Sequence, residues 1–409
     1  MATDRTATTR VQRHFVAGAL ALAACGPARI GDGGIDPAPC PEPIVDLELG
    51  IYETCLLGES GRLRCFGSFS WLDEWLADEA PLWEVPWTEF PSPPIFVSNS
   101  GGRVCVLLED GRFECVLGGV GFTGEVVDLN LEVKPVAIFR WGTAERLLLA
   151  DGRLVRVPEN EDGEVELEDT PGPLVQFAAA PHHHCAVTQA GAVACAGFNT
   201  YSPGGTEFTG ALGVPGVAFS EKLILLPVTG AVGVATGMIH TCAWFETGEY
   251  ACWGVDTSGL LGDGTSGGVI GDDETLDDLE RHALDGAVVQ IRANAWATCA
   301  RLDDGGVRCW GDGRYVQLPR YNFMTGSTTT VADPLSEPRI PLPEPAIDID
   351  LGKRHACAVG ESGAVYCWGS PPRFGETNSW SLENGGYLDP VTGLVKPMQL
   401  EDPEACEAG

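Results

Sequence analysis

Two residue types in this chain are spaced as if for chemistry. Twelve of its fifteen cysteines form six pairs, Cys55 with Cys65, Cys105 with Cys115, Cys185 with Cys195, Cys242 with Cys252, Cys299 with Cys309 and Cys357 with Cys367. Each pair encloses nine residues and carries a glycine six places after its first cysteine: Gly61, Gly111, Gly191, Gly248, Gly305 and Gly363. A tight turn at such a glycine makes a hairpin whose facing Cα atoms lie close enough for a disulfide. A seventh copy, Arg146 to Arg156 around Gly152, has arginine at both cysteine positions, and joint loss is what a bonded pair predicts. The second residue type is histidine. His183, His240 and His355 each stand two residues before a first cysteine, and three imidazoles at equivalent repeat positions hold zinc if they converge. The run His182-His183-His184 adds little to that case. A histidine repeated with the fold is expected instead to hydrogen-bond its own turn, so these three stay weak metal candidates and no metal or cofactor is assigned.

The elements that must position these groups are β-hairpins. Around each marker glycine the apolar pattern has period two, with Leu57, Leu107, Leu148, Val187, Trp244 and Val359 on the cysteine face and only Arg301 departing from it. The opposite face carries Leu56, Val106, Leu147, Ala186, Ala243, Ala300 and Ala358 directly after the first cysteine position. Strands apolar on both faces are sandwiched between neighbouring sheets, and small residues let those sheets approach. Trp253-Gly254, Trp310-Gly311 and Trp368-Gly369 close three repeats, and core packing is expected of these tryptophans. The marker glycines are spaced 50, 41, 39, 57, 57 and 58 residues apart. Constant hairpins thus alternate with loops of variable length in one repeat domain.

Cys25, Cys40 and Cys406 remain. Cys25 closes Leu22-Ala23-Ala24-Cys25 after an apolar run from Phe15 that follows Arg5, Arg10 and Arg13, the layout of a secretory signal. It resembles a bacterial lipoprotein signal, and the resemblance implies lipidation at Cys25. Gly26 next to it implies outer-membrane rather than inner-membrane retention. The expected organisation is therefore a signal peptide over 1–25, a linker over 26–43 and a single domain over 44–406. Disulfides agree with export, because they persist in oxidising compartments.

The first 25 residues hold three arginines and one aspartate, net +2, so their removal takes the formal charge from −33 to −35. With four lysines and acidic stretches such as Glu159 to Asp169, the chain lacks the clustered cations that bind phosphate backbones, which excludes nucleic acid. Asp263, Asp272, Asp273, Asp277 and Asp278 form no EF-hand loop. No nucleophile elbow, phosphate loop, H-E-x-x-H or dinucleotide fingerprint occurs in the sequence, and no catalytic residue is assigned. The insertion at residues 68–94 carries Trp71, Trp75, Trp83 and Trp87. Ser70 is placed to cap a short helix, with Trp71, Leu72, Trp75 and Leu76 as its apolar stripe. These tryptophans either pack on the first blade or form a binding surface.

Val234 to Gly254, continued by Gly259-Leu-Leu-Gly-Asp-Gly264, and Ile347 to Gly369 resemble the regulator of chromosome condensation repeat. That family builds seven-bladed β-propellers, so the resemblance, which runs from about 44 to 406, implies an all-β ring with an intra-hairpin disulfide in six blades. Ring closure in such a fold brings the chain ends together, where a Cys40–Cys406 bond would fasten them. The family includes a chromatin-bound nucleotide exchange factor and a secreted β-lactamase inhibitor, and neither role transfers by motif. The expected function is a non-catalytic, monomeric scaffold, lipid-anchored in the bacterial envelope, that recognises a protein or envelope polymer through loops on a propeller face. A secreted hydrolase or lyase with an interblade site, and a passive structural component, are the alternatives.

Overall fold

The computed structural model describes residues 42–50, 53–67, 85–100, 103–117, 126–141, 144–157, 165–200, 210–312, 330–353, 355–369, 395 and 397–398. Seven antiparallel sheets follow one another along the chain. The first blade is β1 (Ile44–Leu49), β2 (Glu53–Gly58) and β3 (Leu63–Gly67), and the second is β4 (Pro94–Ser100), β5 (Arg103–Leu108) and β6 (Phe113–Leu117). The third holds β7 (Pro135–Trp141), β8 (Ala144–Leu149), β9 (Leu154–Arg156) and β10 (Glu166–Leu167). The fourth holds β11 (Leu174–Ala179), β12 (His183–Thr188), β13 (Val193–Phe198) and β14 (Phe219–Leu225). Blade five is β15 (Ala231–Thr236), β16 (His240–Phe245), β17 (Tyr250–Val255) and β18 (Val269–Ile270). Blade six is β19 (Val288–Ala293), β20 (Ala297–Leu302), β21 (Val307–Asp312) and β22 (Thr330–Val331), and blade seven is β23 (Ala346–Leu351), β24 (His355–Gly360) and β25 (Val365–Gly369). The chain folds as a seven-bladed β-propeller, with β1 packed on β23 and β24 to close the ring.

The turn glycines explain both hairpin and ring. All seven have positive φ, between +75° and +94°, which side-chain-bearing residues adopt only at a cost. Their carbonyls also reach the neighbouring blade: Gly152, Gly191, Gly248 and Gly305 accept from the amides of Leu174, Ala231, Val288 and Ala346 at 2.8–2.9 Å, and Gly363 accepts from Ile44 at 3.0 Å. The seventh blade thus bonds the first as other blades bond their successors. At the equivalent positions of blades two and three stand Pro94 and Pro135, which have no N–H to donate. One irregularity was not foreseen: each innermost strand slips register after its first residue, as between Ile44 and Asp46 or Val288 and Gln290. Such bulges increase local twist.

Each cysteine pair is directly opposed across β2/β3, β5/β6, β12/β13, β16/β17, β20/β21 and β24/β25. All six are bonded, with Cα–Cα separations of 4.0–4.1 Å. They face the next blade. Cys185 and Cys195 share a buried cluster with Ala243 of blade five, and Cys357 shares one with Leu56 of blade one. The residue after the first cysteine is therefore small or compact because a disulfide packs against it. Trp253, Trp310 and Trp368 are buried. Trp310 donates its indole N–H to Leu260 O at 3.0 Å. A Cβ at Gly262, in the glycine-rich loop, would lie 2.6 Å from that indole nitrogen.

Candidate functional site

The three recurring histidines lie at the start of β12, β16 and β24, fully buried. Their backbone carbonyls close their own turns, accepting from Ala180, Gly237 and Gly352 at 2.9 Å. The rings do something the sequence reading did not anticipate: they cross to the next blade. His183 Nε2 meets Thr241 Oγ1 at 2.8 Å, His240 Nε2 meets Thr298 Oγ1 at 2.9 Å, and His355 Nε2 meets Thr54 Oγ1 at 3.1 Å across the closure seam. Thr241 and Thr298 already give their hydroxyl protons to Ala211 O and Leu260 O. Their oxygens must accept from the rings of His183 and His240, which places a proton on Nε2 of each. Burial pushes His183 down to about 3, and His240 and His355 down to about 4. His184, its ring stacked on Phe177, is also pushed down to about 3, by burial first and then by the Arg146 charge. Each of the three imidazoles is engaged in a separate seam. Among the described residues they form no common donor set for zinc.

Other residue types pair at the same position in another seam. Where one blade offers His, the next offers Thr; Arg103 of blade two meets Glu145 of blade three at 2.8 Å; Ala297 of blade six precedes Ala356 of blade seven. A complementary pair thus spans two repeats, 58 residues apart for the pairs His183–Thr241 and His240–Thr298. The innermost strands add a second line of stitches. Gln176 forms a two-point contact with the Val234 backbone, and Gln290 donates to Asp348 and Ile349 O. Asp350 accepts from Leu49 N at 2.6 Å and pairs with Arg292, while Glu48 accepts from Asn99 N at 3.1 Å. Burial raises both carboxyl pKa values; the Asp350 charge adds to the rise at Glu48, and Arg292 opposes it at Asp350.

The divergent third repeat has its charges met. Arg146 and Arg156 oppose each other in register, but Arg146 turns to Glu168 at 2.7 Å and Arg156 to Glu166 at 3.8 Å, both from the outer strand region. In blade six, Arg308 makes a two-point contact with Asp285 at 2.6 and 2.8 Å and donates to Pro334 O and Glu337 O. Arg339 bridges Asp285 and Asp304. These contacts clamp the sixth-blade loop onto β21.

Of the tryptophan insertion, Trp87 lies within the described residues and Trp71, Trp75 and Trp83 lie outside them, as do Ser70, Leu72 and Leu76. Trp87 is half-buried against the seam between blades one and seven, with the Arg64 and Arg62 guanidiniums 4.2 and 5.3 Å from its ring centroid. Cys25, Cys40 and Cys406 also lie outside the described residues. Packing and hydrogen bonds between blades seven and one account for the closure that is seen.

Set beside known proteins, the chain matches the regulator of chromosome condensation (RCC1) repeat at residues 288–317 and 346–376. The ultraviolet-B receptor UVR8 of Arabidopsis thaliana is 28% identical over 269 residues, 61% of this chain and 57% of the receptor. The E3 ubiquitin-protein ligase HERC2 of Homo sapiens is 28% identical over 152 residues, 37% of this chain and 3% of the ligase. The chain therefore spans just over half of the first of these curated relatives and a small part of the second. Among solved structures, human WBSCR16 superposes with a TM-score of 0.56 at 17% identity, covering 77% of this chain and 83% of that one. That likeness is one of fold.

Proposed function

From a chain that carries RCC1 repeats on a seven-bladed propeller, we propose a non-catalytic binding scaffold, anchored by lipid at Cys25 in a bacterial envelope, that recognises a protein or envelope polymer through loops on one propeller face. The observation that carries the reading is where the reactive groups go. Twelve thiols are closed as disulfides, and the recurring imidazoles are neutral, buried and bonded to the next blade. Groups that could do chemistry hold the ring together, and recognition falls to the variable loops. A ring so stitched loses little conformational freedom on binding, which favours affinity. Propellers of this fold commonly bind proteins, which supports the first of the two ligand classes.

Two experiments test the parts separately. Expression in a Gram-negative host, with fatty-acid labelling and membrane fractionation, should show labelled protein in the outer-membrane fraction and an unlabelled, soluble Cys25→Ser variant; an unlabelled wild type would remove the anchor. Affinity capture from cell envelopes with the Cys25→Ser protein, beside a form lacking residues 68–94, should yield a saturable partner for the full protein. Equal capture by both forms would move the binding surface away from the tryptophan insertion. No partner with either would overturn the scaffold reading.

A further inference from the structure

Among the described residues, the largest aromatic exposure is in blade four. Phe198, the last residue of β13, faces Phe219, the first of β14, with ring centroids 4.7 Å apart and an interplanar angle of 43°. Phe198 is 48% exposed and Phe219 43% exposed, so neither ring is a core residue. Two tilted rings open on one side present adjacent π-faces, which attract a cation. The molecule already uses that contact, with the Arg281 guanidinium 3.6 Å from the Phe245 centroid and Arg64 over Trp87. Among the described residues no cation covers Phe198 or Phe219.

We propose that this pair docks an arginine or lysine side chain of a basic partner segment, a conclusion that rests on the scaffold reading and narrows it to one surface and one partner chemistry. Charge selects the partner. At a formal −33 the chain repels a second copy, an anionic lipid surface and nucleic acid, and attracts a cationic segment. Locally, Lys222 is neutralised by Asp169 at 3.0 Å, while Glu221 stands exposed two residues beyond Phe219. Strand addition to the outer edge of β14 is disfavoured, because the β13–β14 register breaks between Cys195 and Gly197, leaving Glu221 to Leu223 as a bulge. Recognition there is by side chain rather than by backbone.

The test uses the full oxidised protein and a fluorescein-labelled arginine–glycine decapeptide, read by anisotropy at about 0.1 M salt. A citrulline–glycine decapeptide is the uncharged control. The variant is Phe198→Leu with Phe219→Leu, which keeps an apolar surface and removes both π-faces; an unchanged melting temperature checks its fold, and Phe219→Leu alone serves if the double variant is unstable. Saturable binding of the arginine peptide, about tenfold weaker in the double variant and absent with citrulline, is expected from cation–π contacts of about 0.5–2 kcal/mol. Equal binding by wild type and variant would reduce the attraction to diffuse charge and overturn the proposal. Equal binding of the citrulline peptide, or no binding of the arginine peptide, would overturn it as well. If an envelope partner is still captured by the leucine variant, the scaffold reading survives and the blade-four surface does not.

Discussion

Replacing His240 by glutamine should cost stability at neutral pH and cost much less in mild acid. At neutral pH the loss removes the Nε2–H donor to Thr298 and part of a buried packing unit, about 1–3 kcal/mol. The acid behaviour follows from linkage. The folded ring has its pKa pushed down to about 4, whereas an unfolded histidine titrates near 6.5. Between those values the unfolded chain binds a proton that the folded one refuses, so stability is full above about 6.5 and falls as pH drops towards 4. At about pH 5 this amounts to roughly 2 kcal/mol for one imidazole. His240→Gln lacks that proton site, so the gap between wild type and variant should shrink by about 2 kcal/mol between about pH 7.5 and pH 5. Glu48, Asp350, His184 and His355 titrate in both proteins and cancel in the difference, while His183, which a charge on His240 also pushes down, is partly relieved in the variant and adds to the narrowing. Guanidinium unfolding of both oxidised proteins at the two pH values measures it. A gap that stays constant, or widens in acid, would refute the assignment of His240 as a buried neutral donor.

Gly305→Ala should lower stability by about 2–4 kcal/mol, because its φ of +77° disfavours a side chain and a Cβ there would lie 2.4 Å from Pro345 Cβ; thermal unfolding reads the loss. Arg308→Ala should cost about 2 kcal/mol at neutral pH, since it strips two loop carbonyls of their donor and leaves Asp285 with Arg339 alone. Arg308 and Arg339 hold the Asp285 carboxyl well below the usual carboxylate range, so this contribution is present above the ordinary carboxylate pKa and fades as acid protonates Asp285; denaturation curves at neutral and acid pH should converge. Arg146→Cys with Arg156→Cys should close a seventh hairpin disulfide, because these residues oppose each other as the six cysteine pairs do. A gain of about 2–3 kcal/mol, lost on reduction, is expected, and two free thiols in the oxidised variant would contradict it.

The hairpins were legible because their signals are local: a cysteine, a glycine six residues on and a second cysteine all fall within one turn of chain. The all-β ring followed from the repeat resemblance, and the buried tryptophans from aromatic–glycine endings. The seams were not legible repeat by repeat. Thr241 and Thr298 look like ordinary strand residues until each is read against the histidine of the preceding repeat, and the Arg103–Glu145 pair carries the same signal in charge. Reading position against position in successive repeats would have found them. Arg146 was opaque for a related reason, since Glu168 reaches it from just beyond the outer strand β10, after a loop of variable length. The Phe198–Phe219 pair carries no repeat signal, because β14 has irregular register and no counterpart of its length among the described outer strands.

Reactive side chains are consumed in holding each blade and joining it to the next, and disulfide mapping of the unreduced Cys25→Ser protein by peptide mass spectrometry is the decisive check. Six links are expected, each joining cysteines ten positions apart within one hairpin, with a Cys40–Cys406 link as the further expectation. A link between cysteines of two different hairpins, or a free thiol among those twelve, would contradict that pairing.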